Sequence, residues 1–355
     1  MKNFIDELRT YVPDIHPYDN GRHYTGACPL CSHTGQQGRL VADPAIRMWK
    51  CMECGAYGNL PELVARVKRI KYSDAIAILK EGKEPKVPEE QKLYWQMNKT
   101  AAVWFTKNLF GKTGKQALAY FRKRELTDET MRKFGLGYGG SSSTALYKYM
   151  KGQGYNDEQL KKSGLFNCTD DGTLYDRFRG RVMFPIMDRY SHVIGFGGRI
   201  LDDKAETCKY LNSPESEWFK KGANLYAGQI ARYSNRGFLL LCEGYMDVIA
   251  LHQAGYDNAI ASLGTSLTEL QSMIVSSMSN NVIVTYDSDD AGEKAARRAI
   301  PMLRKYRTRT KWFSMLPAKD PDEYIKTFGK DAFDTLITNA PYFACDKAGN
   351  FYIEN

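Results

Sequence analysis

The stretch "NVIVTYDSDDAG", residues 281–292, passes directly from an apolar segment to a cluster of acids. Residues 282–284 are apolar and β-branched, which is typical of a buried strand. Three aspartates then lie between residues 287 and 290. Because like charges this close repel one another, the cluster predicts a cation at the tip of the strand.

The sequence around this stretch alternates between strand and helix patterns, from residue 237 to about 335. Short apolar runs bounded by glycine or acid alternate with longer segments that have helical spacing. This alternation predicts an α/β fold in which a small parallel sheet is wound by right-handed crossovers. The predicted strands are "GFLLLCEG" (237–244), "NAIASLG" (258–264), "NVIVTYD" (281–287) and "KWFSMLP" (311–317).

Acidic residues recur at the ends of three of these strands. They are Glu243, Asp247, Asp287, Asp289, Asp320, Asp322 and Glu323. In a wound sheet the carboxyl ends of neighbouring strands meet at one crevice, where we expect these side chains to gather. Oxygen ligands select Mg²⁺ or Mn²⁺, and one or more such ions serve phosphoryl transfer. The alternative is that the acids are helix N-caps, and Asp290 is expected to cap the helix at Ala291.

Two Cys-x-x-Cys pairs predict a zinc site near the N-terminus. Cys28 and Cys31 are separated from Cys51 and Cys54 by nineteen residues, a spacing that can close a tetrahedral four-thiolate site. A closed site of this kind is structural. The alternatives are four free core cysteines, or replacement of a cysteine by a nearby histidine, His23 or His33, which we interpret as bystanders.

The hairpin between the cysteine pairs carries Arg39, Arg47, Trp49 and Lys50. Cations beside an aromatic side chain are typical of surfaces that hold single-stranded nucleic acid. The competing interpretation is a solvated, partly packed hairpin. The net charge of +9 and the pI of about 8.9 also favour a polyanionic partner, although simple solubility explains them equally well.

The 355-residue chain is long enough for several domains. We predict a zinc-binding domain over 1–80, a charged linker over 81–92, a mixed α+β subdomain over 93–235, the parallel-sheet subdomain over 236–340 and an irregular tail over 341–355. No run of eighteen apolar residues and no signal peptide is present in the sequence, which predicts a cytoplasmic protein without a membrane span.

Several of these stretches resemble a known family. "LLCEGYMDVIALHQAG" (240–255) and "VTYDSDDAG" (284–292) look like the toprim motifs of primases, topoisomerases and some nucleases. "YDRFRGRVMFPIMD", "VIGFGGRIL", "KYLNSPES" and "LGTSLTELQ" resemble the catalytic core of bacterial-type replicative primases, the DnaG class. The cysteine pairs followed by "ECGAYGNLPELV" resemble the zinc domain of that family, in the same order.

The resemblance implies synthesis of short RNA primers from ribonucleoside triphosphates on single-stranded DNA. By motif, Glu243, Asp287 and Asp289 would hold one to three catalytic Mg²⁺ or Mn²⁺ ions, with Asp247, Asp320 and Asp322 completing the set. One structural zinc would stabilise the N-terminal domain. The cations and the tryptophan of its hairpin motivate the hypothesis that this domain helps to select the template start site. The residues implied for the nucleotide and template groove are Lys209, Tyr210, Asn212, Lys221, Arg199 and Arg122.

The sequence departs from the family pattern at three places. Cys31 stands where bacterial members usually have His, and Ser288 stands where Asp-Gly-Asp has Gly. If that turn is strained, Ser288→Gly should leave activity equal or better. The chain also ends soon after the toprim region, which predicts a phage or mobile-element primase or a fragment. The resemblance implies a replicative helicase as a partner, but the domain that usually docks on it is absent from this sequence.

Two other functions remain open from the sequence. A toprim nuclease would shorten DNA without ribonucleotides. A non-catalytic recombination scaffold would combine zinc and toprim domains without needing "KYLNSP" or "GFGGR".

Overall fold

The computed structural model describes residues 4–30, 39–54, 56–81, 87–202, 207–264, 266–345 and 351–354. It divides into two compact units, residues 1–88 and 89–355. Within the described part of the chain, we find no helix with both the length and the apolar character needed to cross a bilayer.

The first unit is an antiparallel sheet of five strands in sequence order, packed with three helices. Trp49, Leu40 and Leu63 are fully buried in its core. Asn59 caps the second helix, because its side chain accepts a hydrogen bond from the backbone N–H of Glu62 at 3.0 Å. The elements are α1 (Phe4–Arg9), β1 (His16–Tyr18), β2 (His23–Ala27), β3 (Arg39–Asp43), β4 (Met48–Cys51), β5 (Tyr57–Asn59), α2 (Leu60–Lys68) and α3 (Tyr72–Glu81).

The second unit begins with helix α4 (Glu89–Phe110), whose first residues fall inside the predicted linker 81–92. Residues 82–86 of that linker lie outside the described part of the chain. Five helices, an antiparallel sheet in the order β11-β10-β9-β6 and a two-stranded β7–β8 hairpin then follow in the described residues, and α4 packs against β6 and β10 of that sheet. The elements are α5 (Lys115–Lys123), α6 (Asp128–Lys133), β6 (Gly137–Tyr138), α7 (Ala145–Gly152), α8 (Asp157–Lys162), β7 (Phe166–Cys168), β8 (Leu174–Asp176), β9 (Arg181–Met187), β10 (Val193–Ile200), β11 (Tyr210–Asn212) and α9 (Gly228–Ala231).

The rest of the second unit is the predicted alternation of strand and helix. The sheet order is β13-β12-β14-β15-β16-β17, and the first four of these strands are parallel. Fold class α/β is therefore confirmed, with a mixed α+β region preceding the parallel sheet. The elements are β12 (Leu239–Cys242), α10 (Tyr245–Gln253), β13 (Ala259–Ala261), α11 (Glu269–Met278), β14 (Asn281–Val284), α12 (Asp290–Lys305), β15 (Arg309–Trp312), α13 (Pro321–Asn339), β16 (Tyr342–Cys345) and β17 (Phe351–Glu354).

The expectation of an irregular tail after residue 340 is wrong. β16 pairs antiparallel with β15, with Thr310 opposite Phe343, and β17 pairs with β16. Without β16, β15 would expose a row of unpaired backbone groups at the sheet edge, so the C-terminal hairpin satisfies them.

Both faces of the parallel sheet are buried, which explains why its strands are continuously apolar. Leu240 and Ile283 pack into the core on one face, whereas Leu241 and Val284 pack into the core on the other. β12 and β14 are direct neighbours, with Leu241 opposite Val284. The residues that follow these two strands are thereby brought to the same end of the sheet.

Candidate active site and zinc site

Glu243 and Asp287 meet at the carboxyl ends of β12 and β14. Glu243 follows β12 directly, and its Oε1 accepts a hydrogen bond from the backbone N–H of Asp287 at 3.2 Å. Burial and the Asp287 charge raise the pKa of Glu243, and burial also raises the pKa of Asp287. The expected convergence of these two carboxyl groups is therefore present in the fold.

Asp289 caps helix α12, which corrects the expectation that Asp290 is the cap. Oδ1 of Asp289 accepts hydrogen bonds from the backbone N–H groups of Ala291 and Gly292, at 3.1 and 2.9 Å. The Gly292 N–H lowers the pKa of Asp289. Asp290 is the first residue of the helix and is exposed. The cap moves one residue earlier because the helix begins one residue before Ala291.

Gly292 allows the helix to approach the acidic turn closely. A Cβ atom at this position would lie 2.0 Å from the backbone oxygen of Asp287, which no side chain tolerates. The glycine of "DSDDAG" therefore serves close packing between the start of α12 and the Asp287 backbone.

Lys319 contacts both aspartates of the motif and was missed from the sequence. Its Nζ lies 3.2 Å from Oδ2 of Asp287 and 3.5 Å from Oδ2 of Asp289. Lys319 is the first residue of the stretch "KDPDEY". The acids of that stretch were predicted for the site, whereas the lysine beside them was not.

Asp247 joins the cluster from helix α10. It is 8% exposed, and its Oδ2 accepts a hydrogen bond from the backbone N–H of Gly244 at 3.1 Å. Burial raises the pKa of Asp247 well above its ordinary value, and the charges of Asp320 and Asp287 raise it further. A carboxyl group in these surroundings is stable as an anion only when a cation lies nearby.

Asp320 and Asp322 approach the cluster from the start of helix α13. Asp320 caps that helix, because its Oδ1 accepts a hydrogen bond from the backbone N–H of Glu323 at 2.8 Å. Asp322 is 2% exposed and pairs with Arg124 at 3.2 Å and with Lys326 at 2.7 Å. The capping interpretation of Asp289 and Asp320 is thus correct, and it coexists with their place in the cluster.

The donor set fits a divalent cation. Its side chains offer carboxylate oxygens alone, and three of its carboxyl groups have raised pKa values. Oxygen ligands of this kind suit Mg²⁺ or Mn²⁺. The oxygens that the helix cap does not use are Oδ2 of Asp289 and those of Asp287.

Arg124 is a second residue that the sequence interpretation missed. It is 198 residues away from Asp322 in the chain, and their ion pair joins the mixed subdomain to the acidic cluster. Arg122, predicted for the groove, instead pairs with Asp128 at 3.2 Å, and both side chains are exposed. Arg122 and Arg124 lie on the segment "YFRKREL", in which composition alone does not tell which arginine faces the acids.

The groove residues predicted on β10 and β11 lie in register with one another. Arg199 is opposite Tyr210, but Arg199 is only 6% exposed and its guanidinium carbon lies 4.6 Å from the centre of the Tyr120 ring. Tyr210 is 44% exposed, and its ring centre is 6.3 Å from that of Tyr245. Tyr210 therefore faces the segment directly after Glu243.

Asn212 connects β11 to the parallel-sheet region. Its Oδ1 accepts a hydrogen bond from the Tyr245 hydroxyl at 2.8 Å, and its Nδ2 donates to the Leu263 carbonyl at 2.8 Å. Lys209 is exposed next to this strand, and Lys221 begins a 3₁₀ turn after it. Of the predicted groove residues, Asn212 thus already has partners for both ends of its amide within the protein.

Three of the four predicted zinc ligands come together in the first unit. The sulfur atoms of Cys28, Cys51 and Cys54 all lie within 4.8 Å of one another. Cys31 lies outside the described residues, as does His33. Burial and the neighbouring thiols raise the pKa of Cys28, so a metal is needed to keep this sulfur ionised. His23 interacts with Asp19 at 3.3 Å, and its role as a bystander of the zinc site stays a prediction.

Trp49 does not belong to an exposed nucleic-acid surface, which corrects the expectation for the hairpin. It is 2% exposed, and its indole N–H donates to the Asn59 carbonyl at 2.7 Å. Strand alternation places Lys50 on the opposite face, paired with Tyr57, which is 55% exposed. Arg39 lies over the ring of Tyr18 at 5.4 Å. Arg39 and Lys50 therefore have tyrosines as aromatic neighbours, whereas the exposed Arg47 lies over the ring of Phe4 at 5.6 Å.

Three family models match successive parts of the chain. The model described as a CHC2 zinc finger matches residues 6–94. The N-terminal domain of the DNA primase catalytic core matches residues 104–232, and the Toprim-like model matches residues 240–325.

Proteins and structures similar to the chain agree with these models. A DNA primase of Clostridium acetobutylicum is 37% identical over 332 residues, which cover 90% of this chain and 54% of that protein. The chain therefore spans about half the length of this curated relative. The crystal structure of the Aquifex aeolicus primase, containing its zinc-binding and RNA polymerase domains, is 30% identical with a TM-score of 0.67. That match covers 96% of this chain and 84% of the solved chain.

A structure of the DnaG primase catalytic domain bound to ssDNA is 36% identical, with a TM-score of 0.65. That match covers 72% of this chain and 83% of the solved chain. Because the similarity extends over both units and over most of the solved relatives, the chain belongs to the DnaG-type DNA primase family.

Proposed function

We propose that this protein is a DNA-dependent RNA polymerase that synthesises short RNA primers on single-stranded DNA for replication. The observation that carries the proposal is the meeting of Glu243, Asp287 and Asp289 at the ends of β12 and β14, where the helix cap leaves carboxylate oxygens that already face a cation, the ammonium group of Lys319. Membership of the primase family supports the same function.

Glu243, Asp287 and Asp289 would hold one to three Mg²⁺ or Mn²⁺ ions, and Asp247, Asp320 and Asp322 would complete the negative field around them. When bound, such ions activate an attacking hydroxyl and offset charge on the leaving phosphate. The role of the chain is geometric: the cap of α12 fixes the carboxylate of Asp289, and the Asp287 backbone fixes the carboxylate of Glu243. Alignment of the two nucleotides then lowers the barrier without a covalent intermediate.

Basic and aromatic residues beside the acids would hold the nucleotides and the template. We propose Tyr210, Lys209, Lys221 and Arg124 as direct contacts, because Arg124 joins the cluster and the others lie on or next to β11. Arg199 and Asn212 would support this surface from within the protein, because both are engaged in internal contacts. Arg122 is proposed at the periphery, where its partner is Asp128.

The zinc unit would contact the template through the exposed face of its sheet. Tyr18, Arg39, Lys50 and Tyr57 combine positive charge with exposed rings, the pairing that holds unpaired bases. One structural zinc would be bound by Cys28, Cys31, Cys51 and Cys54. A replicative helicase is a further proposed partner, supported by the family resemblance alone.

A primer synthesis assay tests the proposal. The protein is mixed with single-stranded DNA, labelled ribonucleotides and Mg²⁺ or Mn²⁺, and the products are separated on a denaturing gel. We expect short primers that disappear in Asp287→Ala and persist in the control Asp290→Ala, whose side chain is exposed beside the site.

Two outcomes would contradict the primase. Shortened DNA formed without ribonucleotides would support the toprim nuclease. DNA binding without either product would support the non-catalytic scaffold.

A further inference from the structure

Lys319 lies on the loop between β15 and α13, and its ammonium group bridges two proposed metal ligands. Nζ is 3.2 Å from Oδ2 of Asp287 and 3.5 Å from Oδ2 of Asp289. Asp287 is largely shielded, with a side chain 21% exposed, whereas the side chain of Lys319 is 58% exposed. The lysine thus reaches from solvent into the acidic cluster.

The oxygens that contact Lys319 are the ones a metal ion would need. Oδ1 of Asp289 is committed to the backbone N–H groups of Ala291 and Gly292, which leaves Oδ2 for a cation. Mg²⁺ binds carboxylate oxygens at about 2.0–2.1 Å, so an ammonium group on the same oxygens would lie within a few ångströms of the ion, where the two positive charges repel. A metal held by Asp287 and Asp289 would therefore compete with the ammonium group for these oxygens and favour its displacement.

The backbone of Lys319 is fixed although its side chain is exposed. Its N–H donates to Oε2 of Glu323 at 2.7 Å, and its carbonyl accepts a hydrogen bond from the Ser288 N–H at 2.7 Å. The four-carbon stem of a lysine is flexible, so the ammonium group can leave while the loop stays in place. After displacement the charge remains tethered beside the metal position.

We propose that Lys319 is an exchangeable cation of the active site. It neutralises Asp287 and Asp289 before metal binds, is displaced when a divalent ion enters, and then binds the phosphates of the incoming nucleotide. The contact of Lys319 with the phosphates of the nucleotide rests on the proposed polymerase function, whereas its exchange with metal does not.

Metal binding by Lys319→Met tests the exchange. Mn²⁺ affinity is measured on the full chain by electron paramagnetic resonance, without nucleotide. The matched control is Lys294→Met, which removes the same charge from an exposed position on α12. We expect Lys319→Met to bind Mn²⁺ about two- to fivefold more tightly, the range of a partly exposed ion pair, and the control to be unchanged.

Two results would overturn the exchange: unchanged or weaker Mn²⁺ affinity in Lys319→Met, or an equal gain in Lys294→Met. Nucleotide affinity measured with Ca²⁺ tests the second half, and Lys319→Met should weaken it by a similar factor. Tighter Mn²⁺ binding with unaltered nucleotide affinity would refute the phosphate contact alone. Because neither measurement needs primer synthesis, failure of the polymerase function is detected separately.

Discussion

Asp289 uses its two carboxylate oxygens for different purposes. Oδ1 accepts the backbone hydrogen bonds that start α12, whereas Oδ2 faces Lys319 and the proposed metal position. Helix capping and metal binding are usually weighed against each other for an aspartate at a strand end. At this residue the cap fixes the orientation of the group that would bind the ion.

Two substitutions separate these roles of Asp289. Asparagine is as good an N-cap as aspartate, so Asp289→Asn should keep the stability of the protein near that of wild type while weakening Mn²⁺ binding. Asp289→Ala should weaken Mn²⁺ binding and also lower the free energy of unfolding by about 1 kcal/mol. Chemical denaturation and Mn²⁺ titration measure the two effects. Equal stability losses in both variants would contradict the capping role.

Ser288 occupies the position where the primase family usually has glycine. Its backbone does not adopt a positive φ, the conformation that would favour glycine. The turn therefore needs no glycine for backbone reasons. Its hydroxyl accepts a hydrogen bond from the backbone N–H of Met315 at 2.8 Å, and its own N–H donates to the Lys319 carbonyl. Ser288 thus fastens the acidic turn to the loop that carries Lys319.

Ser288→Gly should consequently lower the stability of the protein. The expectation of equal or better activity assumed a strained turn, which the structure does not have. We expect a loss of about 0.5–1.5 kcal/mol in the free energy of unfolding, because the Met315 N–H loses its acceptor. Ser288→Thr, which keeps a hydroxyl, is the control and should lose less. Urea denaturation measures the difference. A Ser288→Gly variant as stable as wild type would show that the hydroxyl contributes nothing.

At the scale of elements, the parallel sheet was predictable because its strands are short apolar runs between helical patterns. β12, β13 and β14 lie inside the predicted strands, and the strand of residues 311–317 appears as β15 at 309–312. The acids of Glu243 and Asp287 were predictable for the same reason, because parallel strands end at one edge.

Other contacts depend on distant pairings that a local pattern does not contain. The ion pair of Arg124 with Asp322 and the pairing of β16 with β15 join segments far apart in the chain. The burial of Trp49 depends on which face of its sheet receives the helices. Long-range packing, rather than unusual chemistry, explains each of these misses.

The carboxyl groups at the ends of the strands predict a pH-dependent effect of Mg²⁺ on stability. Raised pKa values of Glu243, Asp247 and Asp287 mean that the folded state binds protons more tightly than the unfolded state. Without metal, the contribution of these three groups to the free energy of unfolding is fully present below about pH 4. It is lost as the pH rises through their raised pKa values. Asp289 has a lowered pKa, so its contribution to the free energy of unfolding is present above about pH 4 and is lost as the pH falls through the lowered value.

Mg²⁺ can replace the lost protons, so its stabilising effect should grow with pH. We expect the increase in Tm on adding Mg²⁺ to be larger at pH 8 than at pH 5, by about 2 °C or more. Thermal scans at both pH values measure it, and Asp287→Asn should reduce the difference. An equal increase at both pH values would contradict proton–metal competition at this cluster.

At the scale of the whole molecule, the two units have separate cores. Buried residues between Phe4 and Ala75 form one hydrophobic cluster. The other clusters of described residues begin at Tyr94, Met97 and Leu225, all in the second unit. The first unit holds its own proposed metal, whereas the acidic cluster belongs to the second. Each unit should therefore respond to the loss of its own metal.

Removal of zinc should unfold the first unit and leave the second folded. Small zinc domains draw much of their folding free energy from the metal, about 10–16 kcal/mol in zinc-finger peptides. In calorimetry of the full chain with a zinc chelator, we expect one transition to disappear while the transition of residues 89–355 persists. Cys51→Ser should reproduce the effect, whereas Cys168→Ser, an exposed cysteine of the second unit, should not. Two unaltered transitions after chelation would refute a stabilising metal at Cys28, Cys51 and Cys54, because the first unit would then fold with these thiols free of metal.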